Sequence, residues 1–258
     1  MSAAPPLIWR RELAVRVVDV GPDERLRPTA LIDLLQEEAG HQARAFGLET
    51  FELPSRSGAA GLGTWVLSRL AVRVERWPAA LEPLALATWP SRYDGLRAGR
   101  DFVLTDAGGH AVARATSEWF VLDLERRRPT RLPHAVTAFG PPPDPPPALV
   151  LGDAPALPDP VERASAFTVR RADLDRVGHA NNARFAEWAL EAVGDDVWDA
   201  YALRGLDLAF RREAAQGDAL VSEVGAPEPG ADGVALAHRI ARGGATLALA
   251  RTEWAERS

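Results

Sequence analysis

The sequence contains no cysteine. Disulfide bonds, thiolate metal sites and a nucleophilic thiol are therefore excluded together. It also contains no lysine, so arginine carries all of the side-chain positive charge apart from any protonated histidine. Metal-binding histidine spacings, clustered acidic loops and complete glycine-rich phosphate loops are missing as well. We therefore expect neither a metal ion nor a cofactor.

Long apolar segments are also missing. No window approaches the ~20 uninterrupted apolar residues of a membrane helix, and the N-terminal MSAAPPLIWRRELAVRV becomes charged at Arg10, unlike a secretory signal. The net charge of −6 argues against a nucleic-acid partner, because nucleic-acid binders depend on a basic surface. We therefore expect a soluble cytoplasmic protein, and the 47% apolar composition indicates a substantial core.

The prolines are concentrated in one segment. Residues 133–160 read PHAVTAFGPPPDPPPALVLGDAPALPDP, which is too rich in proline for a helix or a central strand. This composition favours extended geometry and predicts a semi-rigid linker. The sequence thus predicts an N-terminal domain over residues 1–132, the linker over 133–160 and a C-terminal domain over 161–258.

The N-terminal part predicts one helix among several strands. A strand-like segment over Leu13–Val20 precedes a helical segment over Pro28–Phe46, and Gly47 is a natural helix stop. The apolar stripe of that helix is formed by Leu31, Leu34, Leu35 and Ala39. Four strands are predicted to follow, over Thr64–Arg73, Leu84–Trp89, Gly99–Thr105 and Ala111–Leu122.

The C-terminal part repeats this order. A short strand is predicted over Ala166–Arg170 and a helix over Asn182–Val193, with Phe185, Trp188, Ala189 and Ala192 on one face. Strands are predicted over Leu206–Arg212, Ala219–Ala226, Val234–Ala241 and Ala245–Trp254. The last strands even share a pattern, ATSEW against ARTEW. A duplicated unit in which an antiparallel sheet wraps around a central helix predicts an α+β fold, a tandem or double hotdog.

The stretch DRVGHANN, residues 175–182, has two interpretations. In the structural one, Asp175 forms an Asx turn, Gly178 takes a positive φ and Asn181 caps the following helix. In the functional one, Asp175 and His179 belong to an active site. The motif alone does not separate the two.

A second acidic residue favours the functional interpretation. Glu213 follows the strand after the helix, in the run Arg211-Arg212-Glu213. Its structural alternative is a solvated strand end with an Arg–Glu pair. In a hotdog that strand lies beside the helix, so Asp175, His179 and Glu213 converge at one mouth, where helix N–H groups can also stabilise an oxyanion.

These residues resemble a known family. ADLDRVGHANNARFAEWALE (172–191) is similar to the signature of plant-type and bacterial acyl-ACP thioesterases, D-L-D-x-N-x-H-V-N-N-x-x-Y-x-x-W-x-x-E, and RREA at 211–214 is similar to the R-R-E-C element of that family. LQEEAGHQARAFGL (35–48) and GTWVLSRLAVRVERWP (63–78) resemble its first helix and the strand that follows. The resemblance covers nearly the whole chain outside the linker.

The resemblance implies hydrolysis of a fatty acyl thioester on acyl carrier protein, with Asp175, His179 and Glu213 as catalytic residues. These residue types suit the reaction, since a carboxylate can take a proton from water and a histidine can protonate the leaving thiolate. The residues leave open which carboxylate is the base. Val177 stands where the family has a catalytic Asn, and Ala214 stands where it often has Cys.

Further candidates concern substrate and carrier. Asn181 is a candidate for contact with the substrate. The candidates for the wall of an acyl pocket are Leu31, Leu35, Trp65 and Trp89. Carrier-binding candidates, for an acidic carrier protein and its phosphopantetheine phosphate, are Arg97, Arg100, Arg127 and Arg128. Two alternatives remain open: a non-catalytic acyl-thioester binding or sensor protein, motivated by Val177, and an acyl-CoA thioesterase. A tandem hotdog is compatible with a monomer or a homodimer.

Overall fold

The computed structural model describes residues 6–53 and 61–257. In the first half the elements are β1 (Trp9–Ala14), α1 (Pro28–Ala45), β2 (Thr50–Leu53), β3 (Gly61–Val74), β4 (Pro83–Tyr93), β5 (Arg97–Asp106), β6 (Ala111–Asp123), β7 (Arg128–Thr130) and α2 (His134–Thr137). In the second half they are β8 (Val161–Thr168), α3 (Asn182–Glu191), α4 (Asp195–Ala200), β9 (Tyr201–Phe210), β10 (Ala219–Gly225), β11 (Glu228–Pro229), β12 (Gly233–Arg242) and β13 (Ala245–Glu256).

The strands of both halves form one antiparallel sheet. Its order is β1-β4-β5-β6-β3-β9-β13-β12-β10-β8, so each half contributes a contiguous block of strands. The blocks join where β3 pairs with β9, from Arg69 opposite Ala209 to Arg73 opposite Gly205. The sheet therefore runs without interruption across the duplication.

One helix of each half packs on this sheet. α1 buries Leu31, Leu35 and Ala39, as its apolar stripe predicts, and α3 buries Phe185 and Trp188. The two helices contact each other, and their apolar faces share one core with both strand blocks. This is the predicted α+β double hotdog, in which burial of each helix stripe under a curved sheet supplies most of the stabilisation.

Three predicted strands have wrong boundaries, since β9 begins at Tyr201 rather than Leu206 and both edge strands are shifted along the chain. The first strand occupies Trp9–Ala14 rather than Leu13–Val20, because a 3₁₀ turn follows at Val17–Asp19, held by two hydrogen bonds from Arg16 to Asp19. The strand predicted at Ala166–Arg170 lies earlier, at Val161–Thr168. Edge strands are half-exposed, and their alternation is a weaker guide to position than that of the inner strands.

The predicted linker is mostly irregular but carries one helical turn, α2. Val136 of that turn is buried, and it packs with Leu48, Phe51 and Val121 of the first half. The spacing of Val136 and Phe139 is that of one helix face, a signal that the proline content obscured. This part of the segment therefore folds onto the first half.

A histidine is buried in the second half. His238 of β12 is fully buried, with Nε2 2.8 Å from the Thr252 hydroxyl and with no partner on Nδ1 in the described ranges. Burial lowers the pKa of His238 to about 3, because removal from water disfavours the charged ring. The folded protein thus keeps this ring neutral at mildly acidic pH.

The pH dependence of stability follows from this burial. An unfolded histidine binds a proton below about pH 6.5, whereas folded His238 does so only near 3. The unfolded state therefore gains protons as pH falls, and stability is expected to drop by about 1.4 kcal/mol per pH unit below about 6.5. Urea unfolding at several pH values measures this, and His238→Leu should be less sensitive by that amount. Equal slopes for both proteins would contradict the assignment.

Candidate active site

The DRVGHANN loop combines the two interpretations that the sequence left open. Asp175 accepts hydrogen bonds from the backbone N–H groups of Val177 (2.9 Å) and His179 (3.2 Å), and Gly178 donates to the Asp175 carbonyl at 3.1 Å. Gly178 has φ +88°, a conformation that favours glycine. Asp175 thus holds the loop through its backbone and makes no hydrogen bond to the imidazole of His179.

The RREA segment lies directly against this loop. The Ala180 N–H donates to the Ala214 carbonyl at 2.8 Å, and His179 forms a β-bridge with Ala215. This backbone pairing places the His179 side chain beside that of Glu213. His179 Nε2 lies 2.9 Å from Glu213 Oε2, and about half of each side chain is exposed. The pair is an acid–base couple at ion-pair distance that water can reach.

A residue of the first half completes the surroundings of Glu213. Arg127 Nη2 donates to Glu213 Oε1 at 3.5 Å. Arg127 has a positive φ of 51° in the turn between β6 and β7, a turn fixed by Asp123, which accepts from the N–H of Glu125. Glu213 therefore lies between a histidine of its own half and an arginine of the other.

Asn181 joins the two halves at this point. Its side-chain oxygen caps α3 by accepting from the Ala183 N–H at 2.9 Å, and its Nδ2 donates to Asp33 at 3.0 Å. Asn182 Nδ2 donates to Gln36 Oε1 at 2.7 Å. The cap occupies the Ala183 N–H, which is therefore not free to bind an oxyanion. Burial is the main reason that the pKa of Asp33 is raised.

A cavity of about 300 Å³ begins at the same place. Gln36 of α1 and Arg176 of the loop contribute to its wall, and the rest comes from the first half. The apolar part of the wall is formed by Ala39, Ala43, Phe46, Leu48, Trp65, Trp119, Val136 and Phe139. The cavity thus extends from the His179 loop along α1, with a mainly apolar surface that suits an acyl chain.

The pocket candidates are distributed differently from the expectation. Trp65 lines the cavity, and its ring nitrogen donates to the Leu48 carbonyl at 2.8 Å. Leu31 and Leu35 lie in the main core between α1 and the sheet. Trp89 is fully buried on another face, packed with Ala87 and Val103. Successive residues of a strand face opposite sides of the sheet. The residue type alone therefore does not show which side a strand tryptophan faces.

The arginine candidates lie in two different environments. Arg97, Arg127 and Arg128 are exposed, and Arg97 pairs with Glu118 at 3.5 Å. Arg100 is instead in the cavity wall, so its expected place on a carrier-binding surface is wrong. Two further residues of the cavity wall were not predicted to have a role. Gln36 lies at the edge of the apolar stripe of α1, and Arg176 lies inside the DRVGHANN loop.

One group in the described part of the chain has the donor types of a metal site. Glu37, Glu38 and His41 place one donor atom each within 4.8 Å of one another. The buried carboxylate of Glu38 already accepts from Trp9 Nε1 at 2.8 Å and from Arg11. The cluster lies on α1, and none of its members lines the cavity, so it plays no part in the site described above.

The fold and site define a class, a tandem hotdog in which the loop that carries the histidine of a histidine–glutamate pair also contributes to the wall of a mainly apolar cavity. Family models described as the acyl-ACP thioesterase N-terminal and C-terminal domains match residues 6–139 and 158–256. The chain therefore belongs to the acyl-ACP thioesterase family.

Individual relatives agree with this assignment. An acyl-[acyl-carrier-protein] hydrolase of Cuphea viscosissima is 27% identical over 95% of this chain and 62% of its own length. The oleoyl-acyl carrier protein thioesterase 2 of Arabidopsis thaliana is 28% identical over 81% of this chain and 60% of its own. The chain thus spans about three fifths of the length of these curated relatives.

Solved structures show the same fold. The 12:0-ACP thioesterase from Umbellularia californica superposes with a TM-score of 0.82, at 26% identity over 97% of this chain and 95% of that one. An acyl-ACP thioesterase from Bacteroides thetaiotaomicron superposes with a TM-score of 0.80, at 21% identity over 96% and 97%. In the described part of this chain, none of the helices is long and apolar enough to cross a membrane.

Proposed function

We propose that the protein hydrolyses the thioester bond of a fatty acyl chain carried on acyl carrier protein. The observation that carries this proposal is the 2.9 Å contact between Glu213 and His179, whose loop contributes Arg176 to the wall of a mainly apolar cavity. The named activities of the relatives support it. Asp175 supports it indirectly, as the residue that positions the His179 loop.

The chemistry needs only water and the two side chains. Glu213 takes a proton from water as the water oxygen bonds to the thioester carbonyl carbon. Glu213 passes this proton to His179 through their contact. When the tetrahedral intermediate collapses, the carbon–sulfur bond breaks and His179 donates the proton to the departing sulfur. The products are a free fatty acid and the carrier thiol.

A panel of acyl-ACPs and the matching acyl-CoAs tests this function. We expect thiol release from acyl-ACP that exceeds release from acyl-CoA with the same chain and that falls with added salt, because Arg127 and Arg128 present exposed positive charge beside the site. Equal rates with both carriers would favour an acyl-CoA thioesterase. No release from either would remove the hydrolase proposal.

Val177 motivates a second candidate, a protein that binds acyl thioesters without hydrolysing them. Its side chain is exposed at 61%, two positions before His179, and offers no polar atom. Stable retention of intact acyl-ACP over the time course of the panel would support this candidate.

Val177→Asn is expected to raise kcat/KM by about tenfold. An amide at this loop position supplies a hydrogen-bonding group for water or for the developing oxyanion, and one such contact is typically worth at least that factor. Steady-state hydrolysis of one acyl-ACP measures the effect, with Val177→Leu as the apolar control. A rate for Val177→Asn equal to that of Val177→Leu would show that this position does not contribute.

A further inference from the structure

Arg100 is a partly buried cation that faces the acyl cavity and has no ion-pair partner among the described residues. Arg100 of β5 is half-buried in the cavity wall, and its side chain reaches toward α1. Its Nη1 donates to Gln42 Oε1 at 2.6 Å and to the Thr88 hydroxyl at 3.2 Å. Gln42 and Thr88 are both fully buried. The guanidinium is therefore held in place by two neutral groups.

Within the described ranges, no carboxylate lies at ion-pair distance from this guanidinium. Among the described residues Arg100 takes part in no ion pair, and its Nε and Nη2 groups have no hydrogen-bond acceptor. The neighbouring Asp101 attracts the guanidinium without forming an ion pair with it, and it accepts a hydrogen bond at 2.6 Å from the Thr116 hydroxyl. Burial lowers the pKa of Arg100 to about 10, so the side chain is still a cation at neutral pH.

A purely hydrocarbon ligand suits this arrangement poorly. A charged group removed from water without a partner is costly, and a saturated chain would displace water from Arg100 while offering it no acceptor. Within residues 6–53 and 61–257, the cavity wall contains one other arginine, Arg176 of the DRVGHANN loop, whose side chain is exposed to water. Arg100 is thus the partly buried wall residue whose unmet donors point to a particular ligand chemistry.

The position of Arg100 along the cavity determines which part of a bound acyl chain lies next to its guanidinium. Gln36 marks the end next to the catalytic loop, since it contacts Asn182. Gln42, the partner of Arg100, lies farther along the same helix. The axial distance between them is about 9 Å at the usual helical rise. An extended chain zigzags, so each bond of about 1.5 Å advances it by less than its length, and roughly seven carbon–carbon bonds span this distance.

We propose that the cavity selects acyl chains that carry an oxygen acceptor in their distal part, a carboxylate, keto or hydroxyl group, and that Arg100 donates to it. This deepens the proposed function and relies on it for the thioester part of the substrate. A carboxylate pairs with guanidinium most strongly, through two parallel hydrogen bonds. Arg100 then determines substrate specificity.

Matched substrates test the proposal. Acyl-ACPs of one medium chain length, ending in methyl, hydroxyl or carboxylate, are compared by kcat/KM. We expect the wild type to prefer the oxygenated ends by about tenfold or more, the value of a charge-assisted hydrogen bond. Arg100→Met should reverse this preference and favour the methyl end, whereas Arg100→Lys should keep part of it. A wild type that prefers the methyl end, with Arg100→Met slowing all three substrates equally, would overturn the proposal.

A binding measurement separates this idea from the hydrolase activity. Free fatty acids with the same three ends are titrated into the protein and followed by its intrinsic tryptophan fluorescence, to which Trp65 and Trp119 of the cavity wall contribute. Tighter binding of the oxygenated acids, lost in Arg100→Met, would support the proposal even if no thioester were cleaved. Equal binding of all three would indicate that water alone solvates Arg100 and would reject it.

Two controls accompany both measurements. Arg10→Met removes an exposed arginine from edge strand β1 and should change neither preference. Thermal melting of each Arg100 variant establishes that it is folded. If Arg100→Met does not fold, Arg100→Lys decides. A weaker preference for the oxygenated ends in Arg100→Lys than in the wild type supports the proposal, and an unchanged preference contradicts it.

Discussion

Glu213→Gln is expected to lower kcat/KM for acyl-ACP by about 10³-fold, within the usual contribution of a general base. Glutamine keeps the shape of the side chain and its contact with His179, but it does not accept a proton from water at neutral pH. Glu213 is also half-exposed, so its replacement should leave the melting temperature nearly unchanged. The loss is therefore a loss of chemistry and not of folded protein.

The design of this experiment uses a matched variant and a double variant. Glu228→Gln makes the same change at an exposed strand position and should have the wild-type rate. His179→Gln should cost a similar factor, and the double variant should cost hardly more than either single change, because the two side chains act as one unit. Full activity in Glu213→Gln would mean that another group is the base.

Asp207→Ala is expected to lower the free energy of unfolding by about 3 kcal/mol, the lower end for breaking a buried pair. Arg69 of β3 and Asp207 of β9 form a two-bond ion pair, with Nε–Oδ1 at 2.9 Å and Nη2–Oδ2 at 2.6 Å. Their side chains are only 10% and 20% exposed. Removal of the aspartate leaves a mostly buried arginine charge at the junction of the two halves.

Urea unfolding measures this loss, and two variants test its cause. Arg69→Met with Asp207→Leu removes both charges and should recover most of the stability. The free energy of unfolding of this double variant should stay about 1 kcal/mol below that of the wild type, because Arg69 also donates to the carbonyls of Gly152 and Asp153. Asp232→Ala breaks an exposed pair with Arg73 and should cost less than 1 kcal/mol. Equal effects of Asp207→Ala and Asp232→Ala would contradict the role of burial.

The sequence predicted the inner elements well because their signals are local. The stripe of α1 and its stop at Gly47, which has φ +69°, follow from helical periodicity and glycine geometry. The hairpin between β5 and β6 follows from Asp106 to Gly109, where the Gly109 N–H donates to the Asp106 carbonyl at 2.9 Å. Short edge strands and helix α4 carry weaker patterns, and the sequence analysis missed α4.

The candidate site was only partly predictable. His179 and Glu213 were named from their motifs, and the pairing of Ala180 with Ala214 is what brings them together. Trp89 was placed in the pocket on its residue type, yet strand register turns it to the other face. Arg100 was assigned to a carrier-binding surface as one of several arginines in the first half, and only its contacts with Gln42 and Thr88 reveal its place.

The sequence by itself determined the duplicated hotdog, the capped loop and the residue types that suit thioester hydrolysis, because periodicity, capping and turn chemistry act over a few residues. Only the tertiary structure decided which half supplies the cavity, that Arg127 reaches Glu213, and that Arg100 faces the acyl space with no ion-pair partner in the described part of the chain. Those relations depend on strands and helices that lie far apart in the chain, such as Gln36 and Asn182. Packing of the whole sheet sets them, and no local pattern encodes that packing.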